Sequence, residues 1–219
     1  MSVHHSVHAI VPLALLEAIR NLDTPLDDGL PAELASETLT KRLGLSSTVA
    51  AQIERYRSMA TRDTPVLSDE AIQVFRLVGR RPDATLVYSD AGRRAARYAA
   101  RRRNGKVPVL RRIMPRSLRL RLGVRAATRA ARQVFGFELT GSGSESGSGS
   151  NGDGGLVVRL TESLATEAEF VGTGCYFYGA LCAELLRVTS GFEGSMVHER
   201  CLARGDDSCR WRSAEAENW

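Results

Sequence analysis

The residues with the clearest chemistry lie near the carboxyl end. All four cysteines, Cys175, Cys182, Cys201 and Cys209, fall within the last forty-five residues. Three of them form a spaced set with a histidine: Cys175 after a Gly-Thr-Gly run, then His198 and Cys201 three apart, then Cys209 eight residues on. Three thiolates and one imidazole make a tetrahedral donor set of the kind zinc takes. Soft sulfur donors favour zinc or an iron–sulfur cluster over magnesium or calcium. Four protein ligands leave no open position for water, so the site would be structural and not hydrolytic.

Spacing alone leaves other readings open, because no CxxC pair is present. Cysteines can simply be small buried apolar groups, and Cys182, on the apolar face of a helix seven residues after Cys175, reads that way. Disulfides are the other alternative. The amino end lacks a basic stretch leading into a long apolar one, so the reading expects a cytoplasmic chain with reduced thiols.

At these positions the sequence becomes familiar. Cys175 to Gly179, Leu185 and Leu186, His198 to Cys201, and Gly205 through Trp211 resemble the 4-vinyl reductase domain. That domain is related to the TRAPP-subunit fold and to the sensor domains of phenol-responsive activators. The resemblance places the metal ligands on Cys175, His198, Cys201 and Cys209. It departs at His198, where the family usually has Glu, and the adjacent Glu199 is the alternative ligand. A looser set resembles the bacteriochlorophyll-biosynthesis branch of the same family. It comprises Asp69 to Ala71, Ala91 to Arg93, Ala96 to Tyr98, Val107 and Pro108, Leu110 to Pro115, Phe137, and Gly141 to Gly143. Together the two sets span most of residues 8–213.

These motifs need elements to position them. Apolar periodicity predicts helices over 8–22, with Pro12 in the first turn, and over 32–43, 47–61, 68–80, 91–101, 117–135 and 176–188. Gly44 would stop the second of these, Ser46 or Ser47 would cap the third, and Ser68 the fourth. Residues 84–88 read either as a short strand or as the start of the next helix. In the helix over 117–135, Leu118, Leu122, Val124 and the alanine-rich positions are expected to face inward. Residues 135–139 and 156–160 read as strands of a hairpin topped by the Gly/Ser-rich stretch 140–155. Strands at 192–201 and 208–212 flank a turn at Gly205. The sum is an α+β fold with N-terminal helices packed on a small antiparallel sheet, which the resemblance makes TRAPP-like. The chain divides into an N-terminal helical segment at 1–67 and a helical part of the main domain at 68–140. A flexible loop at 141–155 and a C-terminal core with the metal site at 156–213 complete it.

Composition bounds the function. With 43% apolar residues among 219 the chain can bury a sizeable core, and it contains no run of eighteen apolar residues. Net charge is +5, and about half of all Lys and Arg lie between Arg93 and Arg132, an interval without an acid. Such a segment suits nucleic acid, anionic lipid or carboxylate ligands, although an Arg-rich solvated surface is the plainer reading. The joint from Leu43 to Val49 looks like a helix-turn-helix turn, but the helix after it offers little to a groove and a plain helical hairpin is favoured. Arg204, Gly205 and Asp206 read as a tight turn. Gly147, Gly149 and Gly152 match a dinucleotide fingerprint only by composition, since they sit between strands with no helix to follow. His4, His5 and His8 read as a frayed terminus.

No nucleophile–base pair or hydride-cofactor fingerprint is visible, so the chain is not expected to be a stand-alone enzyme, although the family name implies 4-vinyl reduction. A pocket between helices and sheet would be lined by Phe135, Phe137, Tyr176, Phe177, Tyr178 and Phe192. Arginines at its mouth could hold carboxylates. The resemblance implies a structural zinc ion, a bound tetrapyrrole and a role as carrier or accessory in bacteriochlorophyll synthesis. By analogy with TRAPP subunits it also implies a homodimer. A ligand sensor or scaffold is the main alternative, and a nucleic-acid binder a weaker one.

Overall fold

The computed structural model describes residues 6–24, 43–103, 116–137, 139–141, 156–168 and 172–215. The predicted helix at 32–43, apart from Leu43, which opens a 3-10 turn over Leu43–Leu45, and the Gly/Ser stretch at 142–155 lie outside them. Among the described residues the architecture is α+β: seven helices, a two-stranded sheet and a four-stranded antiparallel sheet.

The chain opens with β1 (Ser6–His8), which pairs antiparallel with β2 (Pro65–Leu67) in the register Ser6 to Leu67. His8 is therefore in a strand and not in the first helix. Its ring Nδ1 accepts the Ile10 N–H at 3.1 Å, filling one of the positions that a helix start leaves open. His8 is also mostly buried, with an Nε2–Asp63 contact of 3.2 Å, which corrects the expectation of a frayed end for this residue. His4 and His5 lie outside the described residues.

Helix α1 (Ile10–Asp23) follows and is buried on nearly every side, the signature of a central helix rather than a surface one. Helix α2 (Ser47–Thr61) starts where the sequence predicts. The Ser46 hydroxyl accepts the Val49 N–H at 3.3 Å, so Ser46 is the cap. Helix α3 (Ser68–Gly79) has Leu67 at its cap position and Ser68 as its first helical residue, so Ser68 is not the cap.

Residues 84–88 are helical. Helix α4 (Ala84–Arg103) is one continuous twenty-residue helix, with the Asp83 carbonyl accepting the N–H groups of Leu86 and Val87. The Tyr88 hydroxyl donates to the Phe75 carbonyl at 2.8 Å and its ring stacks on Phe75. Buried contacts of this kind outweigh the strand preference of Val and Tyr. Ala91, Ala95, Ala96 and Ala99 bury a small-residue face.

Helix α5 (Arg116–Ala130) continues as a π-turn over Ala131–Phe135 and ends at Gly136, whose φ of 75° suits only glycine comfortably. Leu118 and Leu122 are 44% and 39% exposed, contrary to the expected inward orientation. The inward face is Gly123, Ala127 and Ala130. A Cβ on Gly123 would lie 2.5 Å from the Ser190 Cβ, so α5 packs by its backbone and its large side chains turn outward. Val124 is half-buried against the core.

The main sheet has the order β3–β4–β6–β5: β3 (Leu139–Gly141), β4 (Leu156–Leu160), β5 (Gly194–Arg200) and β6 (Cys209–Glu215). The expected hairpin partner of 156–160 thus begins at Leu139, and Phe135 belongs to the π-turn before it. A short helix, α6 (Leu164–Ala168), leads toward α7 (Cys175–Ser190), which closes with Gly191 in the left-handed region at φ 77°. Helix α7 packs against α4, α5 and β5, and one continuous core links α1 to Trp211 on β6.

Candidate metal centre

Each ligand candidate is placed by a local device. Cys175 is the first residue of α7. The two glycines before it give room. At Gly172, with φ of 77°, a Cβ would come within 3.1 Å of Cys201 Sγ, and at Gly174 within 2.7 Å of Ala165 Cβ. His198 lies on β5 opposite Trp211 of β6, just before an irregularity in register between His198 and Arg200. Cys201 follows that irregularity, and its N–H donates to Asp206 Oδ2 at 2.6 Å. Its carbonyl accepts the N–H groups of Arg204 and Asp206, closing a tight turn through Leu202–Arg204 and Gly205 at φ 91°. The Arg-Gly-Asp run is thus turn chemistry. Cys209 opens β6, and its sulfur accepts the Leu202 N–H at 3.4 Å.

The result is a compact Cys3His cluster that could hold a metal ion. The ligand atoms of Cys175, His198, Cys201 and Cys209 all lie within 4.8 Å of one another, and the three cysteines are buried. Cys175 Sγ is 3.8 Å from Cys201 Sγ and 3.8 Å from Cys209 Sγ. A tetrahedral ion with metal–sulfur bonds of about 2.3 Å sets its sulfurs about 3.8 Å apart, whereas a disulfide needs about 2.05 Å. His198 Nε2 is buried and without a hydrogen-bond partner. A buried ring nitrogen in that state costs free energy unless something binds it. The ring also stacks on Trp211 at 4.6 Å and 11°, which fixes its plane.

Without an ion the thiols share protons. The hydrogen bond between Cys175 and Cys209 pulls the Cys209 thiol below its ordinary value and, together with burial, pushes the Cys175 thiol up. Glu199 points elsewhere: its carboxylate meets Arg212 Nε at 2.6 Å and Arg210 Nε at 3.4 Å. His198, and not Glu199, joins the three sulfurs. Cys182 is fully buried in the core, and desolvation raises its thiol pKa.

A cleft of about 900 Å³ shares the first turns of α7 with this cluster, through Phe177 and Tyr178. Its walls are β1 and β2, the π-turn after α5, the end of β4 and the first turns of α7. Of the six aromatic residues expected to line a pocket, Phe135, Phe177 and Tyr178 do so. Phe137 is core, edge-on to Tyr178 at 6.2 Å. Phe192 is buried just before β5, and Tyr176 faces solvent at 55% exposure. Tyr178 also touches Trp211, so the chain Tyr178–Trp211–His198 joins cleft wall to cluster.

Polar residues also line the cleft, among them His8, Asp63, Glu162 and Arg132; the sequence reading expected arginines at the mouth without choosing one, and it missed Asp63 and Glu162. His8 is held below its ordinary value of 6.5 by burial and by the nearby Arg102 guanidinium, against the opposing pull of Asp63. The signal for these residues would have been the three-residue β1–β2 pairing, which is too short to show in sequence periodicity. No helix among the described residues is long and apolar enough to cross a membrane. No protein-family model, no curated protein and no solved structure matches this chain.

Proposed function

We propose that this protein is a zinc-clamped small-molecule binder of the 4-vinyl reductase type. In this reading zinc closes the Cys3His cluster as a structural ion, and the cleft takes an apolar ligand. The ligand class follows from the sequence resemblance: a tetrapyrrole intermediate of bacteriochlorophyll synthesis, with the chain acting as carrier or accessory to 4-vinyl reduction. One observation carries the reading. The helix that begins with Cys175 also supplies Phe177 and Tyr178 to a cleft of about 900 Å³, within the size range of cofactor sites. A cytoplasmic homodimer belongs to the same reading.

The test is metal analysis combined with absorption spectra of the purified protein. About one zinc per chain and a shifted Soret band on adding chlorophyllide support it. An unshifted spectrum with the metal in place defeats the tetrapyrrole assignment. Turnover of a divinyl substrate with a nicotinamide by the isolated chain would make it an enzyme in its own right.

A sensor or scaffold role is the second reading, favoured by the contact of Tyr178 with Trp211, which ties the cleft wall to the cluster. It predicts a protein partner retained only with ligand present. Nucleic-acid binding through α2 and α4 is disfavoured, because Arg55 and Arg57 on α2 are engaged by Glu70 and Glu17, and Arg94, Arg97 and Arg102 on α4 by Asp90, Glu184 and Asp63.

A further inference from the structure

We infer that the outer stripe of α5 is a docking surface for an anionic lipid bilayer. The stripe consists of Leu118, Arg121, Leu122, Arg125 and Arg129, each three or four residues from another member and hence on one side of the helix. All five are exposed. The opposite side is fixed, because Gly123, Ala127 and Ala130 press α5 onto the protein. The stripe therefore cannot turn inward to hide its leucines.

Charge decides the occupant. Arg94, Arg97 and Arg102 on the neighbouring α4 each meet a carboxylate. Among the described residues Arg121, Arg125 and Arg129 form no ion pair. An uncompensated row of guanidinium groups suits a polyanionic partner. The leucines choose among polyanions. Leu118 and Leu122, one turn apart and flanking Arg121, would gain nothing from a phosphate backbone. Pressed into the boundary between headgroups and acyl chains, they bury apolar surface while the arginines meet lipid phosphates. The π-turn that continues the stripe's helix lines the cleft through Arg132 to Gly136, so a docked bilayer would lie beside the cleft mouth. The inference holds whatever ligand the cleft takes.

Vesicle flotation of the full chain tests it, with phosphatidylcholine vesicles set against vesicles containing about a third phosphatidylglycerol. Binding is expected only to the anionic vesicles and falls with added salt. Neutralising two arginines in R121Q/R125Q should weaken partitioning roughly thirtyfold, at about 1 kcal/mol per charge near such a surface. L118S/L122S should weaken it about tenfold at unchanged charge. Arg20→Gln, a charge removed elsewhere on the surface, should leave it within about twofold. Circular dichroism checks that each variant is folded. Equal binding to neutral vesicles, or wild-type partitioning by R121Q/R125Q, overturns the inference. So does tight duplex-DNA retention, unaffected by L118S/L122S, in a protein that leaves both vesicles unbound.

Discussion

Replacing Cys201 by serine removes one sulfur from a cluster whose members all lie within 4.8 Å of one another. The sulfur separations of 3.8 Å match a tetrahedral site, so zinc should bind with three sulfurs at about 2.3 Å and one nitrogen at about 2.0 Å. Binding to the folded chain alone stabilises it by about 4 kcal/mol when free zinc is a thousandfold above Kd. At about 2–4 °C per kcal/mol for a chain of this size, saturation should raise Tm by about 8–16 °C. Cys201→Ser should lose most of that shift, and zinc content should fall from about one ion per chain to a small fraction of that. The assay is differential scanning calorimetry in zinc buffers, paired with metal analysis and X-ray absorption. Cys182→Ala is the control, since Cys182 is buried outside the cluster, and it should keep both the metal and the shift. If Cys201→Ser retains one zinc per chain and the full shift, or if Cys182→Ala loses them, the metal assignment fails.

Gly92→Ala tests the α4–α7 crossing. The added methyl would run into the Phe177 carbonyl and come within 2.9 Å of Leu181 N. Backbone cannot yield there, so overpacking of about 3 kcal/mol should outweigh the gain of about 1 kcal/mol in helix propensity. A urea midpoint at or above wild type would contradict the crossing. Acid sensitivity should run through Asp23. Burial works to raise this carboxyl, but hydrogen bonds from Arg81 and the Gly44 N–H outweigh it and hold the group below 3.8. A depressed carboxylate stabilises the fold above its unfolded value near 3.9, and that contribution is lost as pH falls through the folded value. Asp23→Asn should flatten stability against pH below about 4.5, and an unchanged slope would show that Asp23 contributes little. Phe177→Ala, at the cleft wall, should weaken chlorophyllide binding while zinc content stays at about one per chain; parallel loss of both would indicate general unfolding.

The four ligand residues were legible because few residue types do this chemistry, and their spacing survives folding unchanged. Helices α2 and α3 were legible from local periodicity and, for α2, from Ser46. Other features depend on partners distant in sequence. Ser6–His8 becomes a strand only because Pro65–Leu67 returns beside it. Residues 84–88 carry strand-prone side chains, yet Tyr88 finds Phe75, and the helix wins. On α5 the alanine positions and Val124 face inward as expected, but Leu118 and Leu122 do not, since periodicity assumes that leucines lead packing. Here Gly123 and the alanines lead it, and Leu118 and Leu122 are left outside. Glu199, the alternative to His198, is set aside only by the folded structure, which puts its carboxylate against Arg212.

The small-residue face of α4 has a consequence for biosynthesis. Its cover on one side, α1, precedes it, but its cover on the other, α7, comes late: Arg97 meets Glu184, 87 residues downstream. A nascent chain emerging amino end first therefore carries an uncovered alanine-lined face until it has been made through Ser190. Covering that face brings Cys175 into place, and Cys201 and Cys209 follow later still. The cluster thus closes only after every described helix has been made, and a chain truncated before residue 201 would carry those helices without two of its sulfurs.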